Sequence, residues 1–367
     1  MISGVPKVHR DSSNQIALTG SQEWKDTSKS LNDSNASNPI AANETQFFSG
    51  FPWVWNNAED GRYLHSIGNL NQHCDPNAIE ELQYKIRLHI NENPRVANRH
   101  KPLLASGKLS STFVNDPITL KYGVGVLTHA KKFRKGHFKI KAKLAQGRHL
   151  WQSIWLFNAN GPGLPYSGYK EIDIIEALTG SVAHSPYECD SPDYYCHKGL
   201  TNLWIDSDVP YDPVESNHVK HIPSNMAWSY VDYECLWTDE AVLYFYDNRL
   251  VEVYRFSDDP KYDRFTHQDA KMHLILTSGI YSNSSDYVAK YPQHIQNNAN
   301  FIGKNDTPNS SGNEFMEFRY FEYKEWGVDI TTYPDGSESL DEYLSNLVED
   351  DFYEPDPWNS EDLKDRL

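Results

Sequence analysis

Apolar and polar positions alternate along much of this chain with a period of two, which is typical of half-buried β-strands. In "GHFKIKAKL", residues 136–144, apolar side chains alternate with one histidine and three lysines. A strand places these two sets on opposite faces. The segments "KMHLILTSGI" (271–280) and "FMEFRYFEYKEW" (315–326) predict two more strands.

The segment "AVLYFYDNRLVEVYRF", residues 241–256, predicts a β-hairpin that turns at Asp247 and Asn248. No long amphipathic helix is predicted ahead of the C-terminal tail. Short strands without intervening helices predict an all-β protein, built as an antiparallel sandwich or barrel.

The composition divides the chain into three parts. Residues 1–45 are polar and rich in Ser, Asn and Thr, and we predict a loosely ordered arm there. Residues 46–328 carry the strand pattern and form one domain. Residues 329–367 form an acidic tail, because from residue 332 onward 12 acids face only two bases. We expect this tail to be solvated and poorly ordered.

Charge and cysteine content limit the classes of partner. The net charge of −17 disfavours a nucleic-acid partner, since phosphates would be repelled. No apolar run is long enough to cross a bilayer, and the N-terminal residues lack the apolar centre of a signal peptide. None of the four cysteines, Cys74, Cys189, Cys196 and Cys235, has zinc-ligand spacing. Cys189 and Cys196 close a small disulfide loop in an oxidising compartment or stay reduced thiols elsewhere.

Three carboxylates stand close together in "KEIDIIEA", residues 170–177. On a helix Glu171 and Asp173 would lie on nearly opposite sides, whereas on a strand they share a face. Glu176 has the wrong parity for that face unless one extra residue is inserted. A β-bulge, in which two residues oppose one, would restore the parity, and we predict it at Ile174 and Ile175.

The acids have two interpretations. Acidic residues can protect an edge strand from aggregation. However, two inward isoleucines and three clustered acids are more typical of acid–base chemistry, since packing like charges costs stability. The preceding strand, "RHLWQSIWLF", places Trp151 and Trp155 on one face, where indole rings pack in a core or stack on a sugar. The chain has ten Trp and 23 Tyr, which is more than core packing needs, so some of these rings are available to bind a ligand.

The order of these segments resembles glycoside hydrolase family 16. The run "GHFKIKAKL…LWQSIWLF…SGYKEIDIIE" is similar to the central block of its branch with the bulged E-x-D-x-x-E motif, and the similarity extends from about Phe47 to Trp326. The resemblance implies a β-jelly-roll sandwich with a concave substrate-binding sheet. It implies that residues 46–328 are the catalytic domain.

The resemblance also implies roles for individual residues. Glu171 would be the nucleophile, Glu176 the general acid/base, and Asp173 the residue that tunes the nucleophile. Trp155 and Trp151 would bind the substrate. His184, in "SVAHSPY", stands where the family often has a histidine near the site, although a loop histidine without a role is an equal alternative.

The expected activity is endo-hydrolysis of β-1,3-glucan with retention of configuration. A galactan hydrolase of the agarase or carrageenase type and a non-catalytic β-glucan-binding protein are the alternatives. We expect a polysaccharide or oligosaccharide partner, no nucleic acid, no membrane, and a monomer. No cofactor is required; some relatives hold a structural calcium, but the sequence offers no defensible ligand set. The resemblance also implies an extracellular location.

Overall fold

The computed structural model describes residues 1–32, 46–52, 72–105, 108–145, 150–158, 170–179, 197–205, 218–221, 229–266, 270–280 and 315–353. Three α-helices lie in these ranges: α1 (Gln22–Asn32), α2 (Asp263–Thr266) and α3 (Leu340–Asn346). Short 3₁₀ turns occupy Pro76–Ala78, Phe256–Asp258, Pro260–Tyr262 and Glu349–Asp351. The described strands are β1 (Ile2–Gly4), β2 (Lys7–Val8), β3 (Gln46–Ser49), β4 (Gln72–Cys74), β5 (Ile79–Leu82), β6 (Lys85–Leu88), β7 (Ile90–Ala105), β8 (Lys108–Val124), β9 (Val126–Phe133), β10 (Gly136–Lys143), β11 (Leu150–Phe157), β12 (Lys170–Thr179), β13 (His197–Ile205), β14 (His218–His221), β15 (Val231–Trp237), β16 (Ala241–Tyr246), β17 (Arg249–Arg255), β18 (Met272–Ile280) and β19 (Met316–Glu325).

Two eight-stranded sheets form the β-sandwich. Sheet A has the order β17-β16-β15-β10-β19-β6-β5, with β1 paired to β19 as well. Sheet B has the order β14-β13-β12-β11-β18-β9-β3-β2. Almost all pairs are antiparallel, as expected for the all-β jelly-roll class. A smaller sheet, β4-β8-β7, contains the long hairpin of β7 and β8.

One hydrophobic core fills the space between sheets A and B. From β10 of sheet A it takes Phe138 and Ile140, and from sheet B it takes Ile172, Ile175 and residues of β11 and β18. Strand β10 alternates buried and half-buried positions along its whole length, as its sequence predicts. The lysines of β10 therefore lie on the outer face of sheet A, which is the side of the sandwich away from sheet B.

The predicted hairpin is confirmed. Strands β16 and β17 pair with Tyr246 opposite Arg249, so Asp247 and Asn248 form a two-residue turn. Both turn residues have positive φ, 49° and 64°. That conformation matches the right-handed twist of the strands, and Asn and Asp tolerate it better than most residues.

The two ends of the chain are more structured than their composition predicts. Residues 1–32, assigned above to a loose arm, contain β1, β2 and α1, and Trp24 of α1 is buried against Phe48. Residues 329–353, assigned to a solvated tail, contain α3. Tyr333, Leu340 and Tyr343 there are buried against the outer side of β15–β17. A few apolar side chains within a polar segment are enough to dock it.

No helix among the described residues is both long and apolar enough to cross a membrane. Cys74 and Cys235 are buried free thiols, and burial raises the pKa of each. Cys189 and Cys196 lie outside the described residues, so their pairing stays a prediction.

Two buried histidines make the stability depend on pH. Burial is the main cause that lowers the pKa of His129 and His273 to about 3, and nearby positive charge adds to it. In the unfolded chain each would titrate near 6.5. Their neutral forms stabilise the fold fully above about pH 6.5, and this contribution is lost as the pH falls from there toward 3.

We therefore expect the free energy of unfolding to fall by about 1.4 kcal/mol per pH unit for each of these histidines below about pH 6. Urea unfolding at pH 7, 6, 5 and 4 measures the slope. The variant His273→Leu should lose part of that slope, even if its stability at pH 7 is lower because a buried hydrogen bond to the His129 carbonyl is gone. An unchanged slope in the variant would contradict the assignment.

Candidate active site

Strand β12 carries the three predicted acids, and its pairing contains the predicted bulge. On one side Asp173 pairs with Asn202 and Glu176 with Leu200 of β13. Two residues of β12, Ile174 and Ile175, therefore oppose the single residue Thr201. The register with β11 shifts at the same place. The bulge at Ile174–Ile175 is confirmed.

The bulge brings the three acids to one face of sheet B. Across β11, Glu171 pairs with Phe157, Asp173 with Trp155 and Glu176 with Ser153. Those β11 residues have the same parity, and directly opposed residues of an antiparallel pair point to the same side. The acids thus share the outer face of sheet B, which points away from the core.

Burial supports the same arrangement. Ile172, Ile174 and Ile175 are fully buried in the core between the sheets. Glu171 and Glu176 are partly exposed, whereas Asp173 between them is only 1% exposed. Without the bulge, the carboxylate of Glu176 would point into the apolar core, which costs several kcal/mol for an unpaired charge. The two adjacent isoleucines therefore fix the local register.

An aromatic cluster adjoins the acids on this face. Trp155 is half-buried and lies against Phe157 and Phe51, with ring centroids 5.5 and 6.0 Å apart. Its indole Nε1 donates a hydrogen bond to Oγ1 of Thr277 on β18, at 3.2 Å. The ring is thus held from two sides, in a fixed orientation beside Asp173. A ring held this way is a platform on which the apolar face of a sugar can stack.

Helix α1 covers one end of the same face. His273 of β18 pairs with Phe157, and the indole of Trp24 lies 5.3 Å from the His273 ring. His273 Nδ1 lies 2.9 Å from the carbonyl of His129. Because burial lowers the pKa of His273 to about 3, this side chain is a neutral part of the packing next to the site and does not supply a charge.

The opposite sheet holds the strand that faces the bulge. Tyr254 of β17, in sheet A, donates a hydrogen bond from its hydroxyl to the carbonyl of Thr201, at 2.9 Å, in a buried position. Thr201 is the residue opposed by Ile174 and Ile175. Tyr254 also packs edge-on against Tyr244, 5.7 Å away. Burial is the main cause that raises the pKa of Tyr244, and the neighbouring Cys235 and Tyr254 add to it.

Of the two other predicted site residues, Trp151 and His184, only the backbone position of Trp151 is described. Trp151 lies on β11, where its backbone is opposite Leu178 and Gly279. His184 lies outside the described residues, so its role stays a prediction. Sequence reasoning missed Thr277 and Phe51. Strand alternation in "LILTSGI" could have placed Thr277 on the face of Ile275, but nothing in the sequence near Phe51 indicates its approach to Trp155.

No group of three or more His, Cys, Asp or Glu side chains is arranged to hold a metal ion within the described ranges.

Comparison with known families identifies the class. The model of glycosyl hydrolases family 16 matches residues 105–294, which include the bulged strand, and the chain belongs to this family. It is therefore a glycoside hydrolase, and its substrate is a carbohydrate. No curated protein matches the chain.

Several solved structures are similar to the chain. LamAcat from Zobellia galactanivorans is 14% identical with a TM-score of 0.47, and the match covers 76% of this chain and 90% of that one. The catalytic domain of an endo-1,3-beta-glucanase (laminarinase) from Thermotoga petrophila RKU-1 gives the same four values. Porphyranase B from Zobellia galactanivorans is 14% identical with a TM-score of 0.46, covering 71% and 83%. Identities this low do not define the substrate of this chain.

The hydrogen bond from Tyr254 to Thr201 predicts an effect on activity at a distance. Tyr254→Phe keeps the ring but leaves the Thr201 carbonyl without this donor, so the strand opposite the bulge is held less firmly. We expect kcat on a polysaccharide substrate to fall about tenfold with little change in KM, since small displacements of reacting groups are costly. The pH profile of kcat should shift as well.

Tyr246→Phe is the matched control. The Tyr246 hydroxyl is also buried in the core, but it has no hydrogen-bond partner among the described residues. Its removal should leave kcat and the pH profile unchanged. Equal effects of the two substitutions would mean that Tyr254 acts only through general packing.

Proposed function

We propose that this protein is a retaining endo-β-glycanase that cleaves β-1,3-glucan, with Glu171 as nucleophile and Glu176 as general acid/base. The observation that carries the proposal is the bulge at Ile174–Ile175, which puts both glutamates on the face that holds Trp155. Two carboxylates on one face beside an aromatic platform are the groups that a retaining glycosidase needs.

The reaction proceeds in two displacements. The Glu171 carboxylate attacks the anomeric carbon while the glycosidic C–O bond breaks, and Glu176 gives its proton to the departing oxygen. A water molecule then attacks the anomeric carbon of the glycosyl ester. Glu176 takes a proton from that water, and the Glu171 carboxylate leaves. The net change is hydrolysis of one glycosidic bond, and both side chains return to their starting forms.

The two roles require different protonation states in neighbouring carboxyl groups. Repulsion between carboxylates held close together favours a state in which one keeps its proton while the other is ionised. Asp173 lies between the two in sequence and shares their face, but it is almost fully buried. We assign it to orient and tune Glu171. The partly exposed Glu171 and Glu176 are the two that a substrate can reach.

The aromatic cluster is assigned to substrate binding. The indole of Trp155 is fixed by Thr277 and supported by Phe157 and Phe51. Stacking of a glucosyl ring on this platform would hold the chain next to Asp173 and Glu171. Trp151 is assigned to the same surface from its register on β11.

The roles of the two glutamates are separated by amide substitutions. Glu171→Gln should abolish turnover but leave oligosaccharide binding nearly intact, because the amide has the same shape but cannot act as a nucleophile. Glu176→Gln should lower kcat on the polysaccharide about 10²–10⁴-fold. Kinetics with laminarin and calorimetric binding of a laminari-oligosaccharide measure both.

Two controls make the assignment specific. The nitrophenolate of a nitrophenyl glycoside leaves without protonation, so Glu176→Gln should still form the glycosyl-enzyme from this substrate. Added azide should then restore turnover, because an anionic nucleophile needs no general base. Glu338→Gln, at an exposed glutamate of the C-terminal segment, should have no effect. Near-normal turnover by Glu171→Gln would disprove the assignment of the nucleophile.

The substrate class is tested by a panel of polysaccharides. We expect release of reducing ends from laminarin, less from the mixed-linkage glucan lichenan, and none from agarose or carrageenan. Short oligosaccharides of several lengths among the early products would show internal cleavage. Preferential cleavage of agarose or carrageenan would support the galactan alternative, and binding of laminarin without cleavage by the intact chain would disprove hydrolysis of this substrate.

A further inference from the structure

The lysine-rich face of β10 takes no part in the active site. Lys139 and Lys141 alternate with Phe138 and Ile140, which are buried between the sheets, so the lysines lie on the outer face of sheet A. The catalytic acids lie on the outer face of sheet B. The two surfaces are therefore on opposite sides of the sandwich.

A groove of about 440 Å³ opens on this outer face of sheet A. We call it the sheet A groove, and its lining comprises Val5, Tyr84, Lys139, Lys141, Asp232, Arg319 and Tyr320. Two of these residues are aromatic, three are cationic and one is anionic. The groove is thus a positively charged surface on a protein with a net charge of −17.

A second bulge shapes this groove. On β19, Phe318 pairs with Ala142 and Tyr320 with Lys141, which leaves Arg319 as the extra residue. Phe318 is buried, whereas the adjacent Arg319 and Tyr320 are exposed and half-exposed. A regular strand would turn one of these two neighbours toward the core. Bulges often re-aim side chains next to functional sites, and here the bulge turns two consecutive side chains into the groove.

The two strands that pair with the other edge of β19 leave a gap beside Arg319 and Tyr320. On its other edge, β19 pairs with β6 through residues 316–318 and with β1 through residues 321–323. Arg319 and Tyr320 lie at the gap between these two partners. Tyr84, which is 61% exposed at the turn between β5 and β6, borders the gap with its ring in solvent.

Most cations on this face are already neutralised. The side chain of Glu317 is only 2% exposed and forms ion pairs with Lys85, Arg87 and Lys143. Burial alone would raise the pKa of Glu317, but hydrogen bonds from Lys85 and Tyr230 and the nearby charges lower it to about 2. This cluster is therefore a permanent structural ion network beside the groove.

Within the groove Arg319 is the cation in excess. Lys139 and Lys141 both form ion pairs with Asp232, at 3.0 and 3.1 Å, and Lys139 also pairs with Glu234, so two carboxylates match these two ammonium groups. Arg319 forms no ion pair with any described residue; its guanidinium lies over the Tyr230 ring, 5.3 Å from the centroid. A guanidinium in this situation can bind a sulfate or carboxylate with two parallel hydrogen bonds.

We propose that the sheet A groove is a second saccharide-binding site, which takes a sugar unit carrying a sulfate or carboxylate group. Arg319 binds the oxyanion, and Lys141 adds positive charge. The rings of Tyr84 and Tyr320 pack against the apolar face of the sugar, and Asp232 accepts hydrogen bonds from its hydroxyl groups. The site does not depend on the catalytic proposal, because no residue of sheet B takes part in it.

Binding by the full chain tests the proposal without any turnover. The probes are a sulfated dextran oligosaccharide, an oligogalacturonate and an unsulfated dextran of equal length, titrated calorimetrically at 50 mM salt. We expect binding of one or both anionic probes and at least tenfold weaker binding of the neutral one. The two anionic probes distinguish a sulfate from a carboxylate ligand.

Variants locate the binding. Arg319→Ala should weaken binding of the anionic probe about tenfold. Arg319→Lys should recover only part of the lost affinity, since lysine keeps the positive charge but cannot form two parallel hydrogen bonds to the oxyanion. Tyr84→Ala should weaken binding severalfold. Arg134→Ala removes another exposed arginine, in the turn between β9 and β10, and should bind as the intact chain does.

Several outcomes would overturn the proposal. One is failure of the intact chain to bind either anionic probe. Another is equal weakening by Arg319→Ala and Arg134→Ala, which would show only a general response to charge. Loss of binding in Trp155→Ala would place the anionic ligand on the catalytic face of sheet B. Loss of catalytic activity in the glutamate variants has no bearing on these results.

Discussion

The site on sheet B depends on the opposition of two isoleucines to one threonine. Ile174 and Ile175 both enter the core, and Thr201 alone faces them across the ladder. Each fully buried isoleucine contributes about 1.5–3 kcal/mol, whereas a regular strand would expose one of them and bury Glu176. The apolar residues therefore enforce the position of the acidic ones. Chemistry on one face of the sheet is thus set by packing on the other.

The sandwich separates two polar surfaces with different chemistry. Its core is shared, but the outer face of sheet B carries acids and a fixed indole, whereas the outer face of sheet A carries lysines, Arg319, Tyr84 and Tyr320. In both sheets a bulge sets the polar surface: one on β12 turns two isoleucines inward, and one on β19 turns Arg319 and Tyr320 outward. A sheet without bulges could present only alternate residues to each face.

Much of the central fold could be predicted from local patterns. The alternation in "GHFKIKAKL" gave β10, the pair Asp247–Asn248 gave the hairpin turn, and the parity of "EIDIIE" gave the bulge. Each of these signals is local.

The long strands β7 and β8 were missed, because Pro94 disfavours a regular strand and falls at a register irregularity between Glu92 and Arg95. The docking of α1 and α3 was missed because it rests on a few apolar contacts between distant segments. Phe51 and Tyr254 reach the site for the same reason, through tertiary contacts that no local pattern records.

The stereochemistry of the products tests the central claim most directly. The proposed retaining mechanism requires the Glu171 and Glu176 carboxyl groups to stand roughly 5 Å apart, whereas a wider pair would leave room for a water molecule and invert the configuration. Proton NMR during the first minutes of laminarin hydrolysis reports the anomer released before mutarotation. We predict that the β-anomer is released first. Initial release of the α-anomer would contradict the proposed geometry of Glu171 and Glu176.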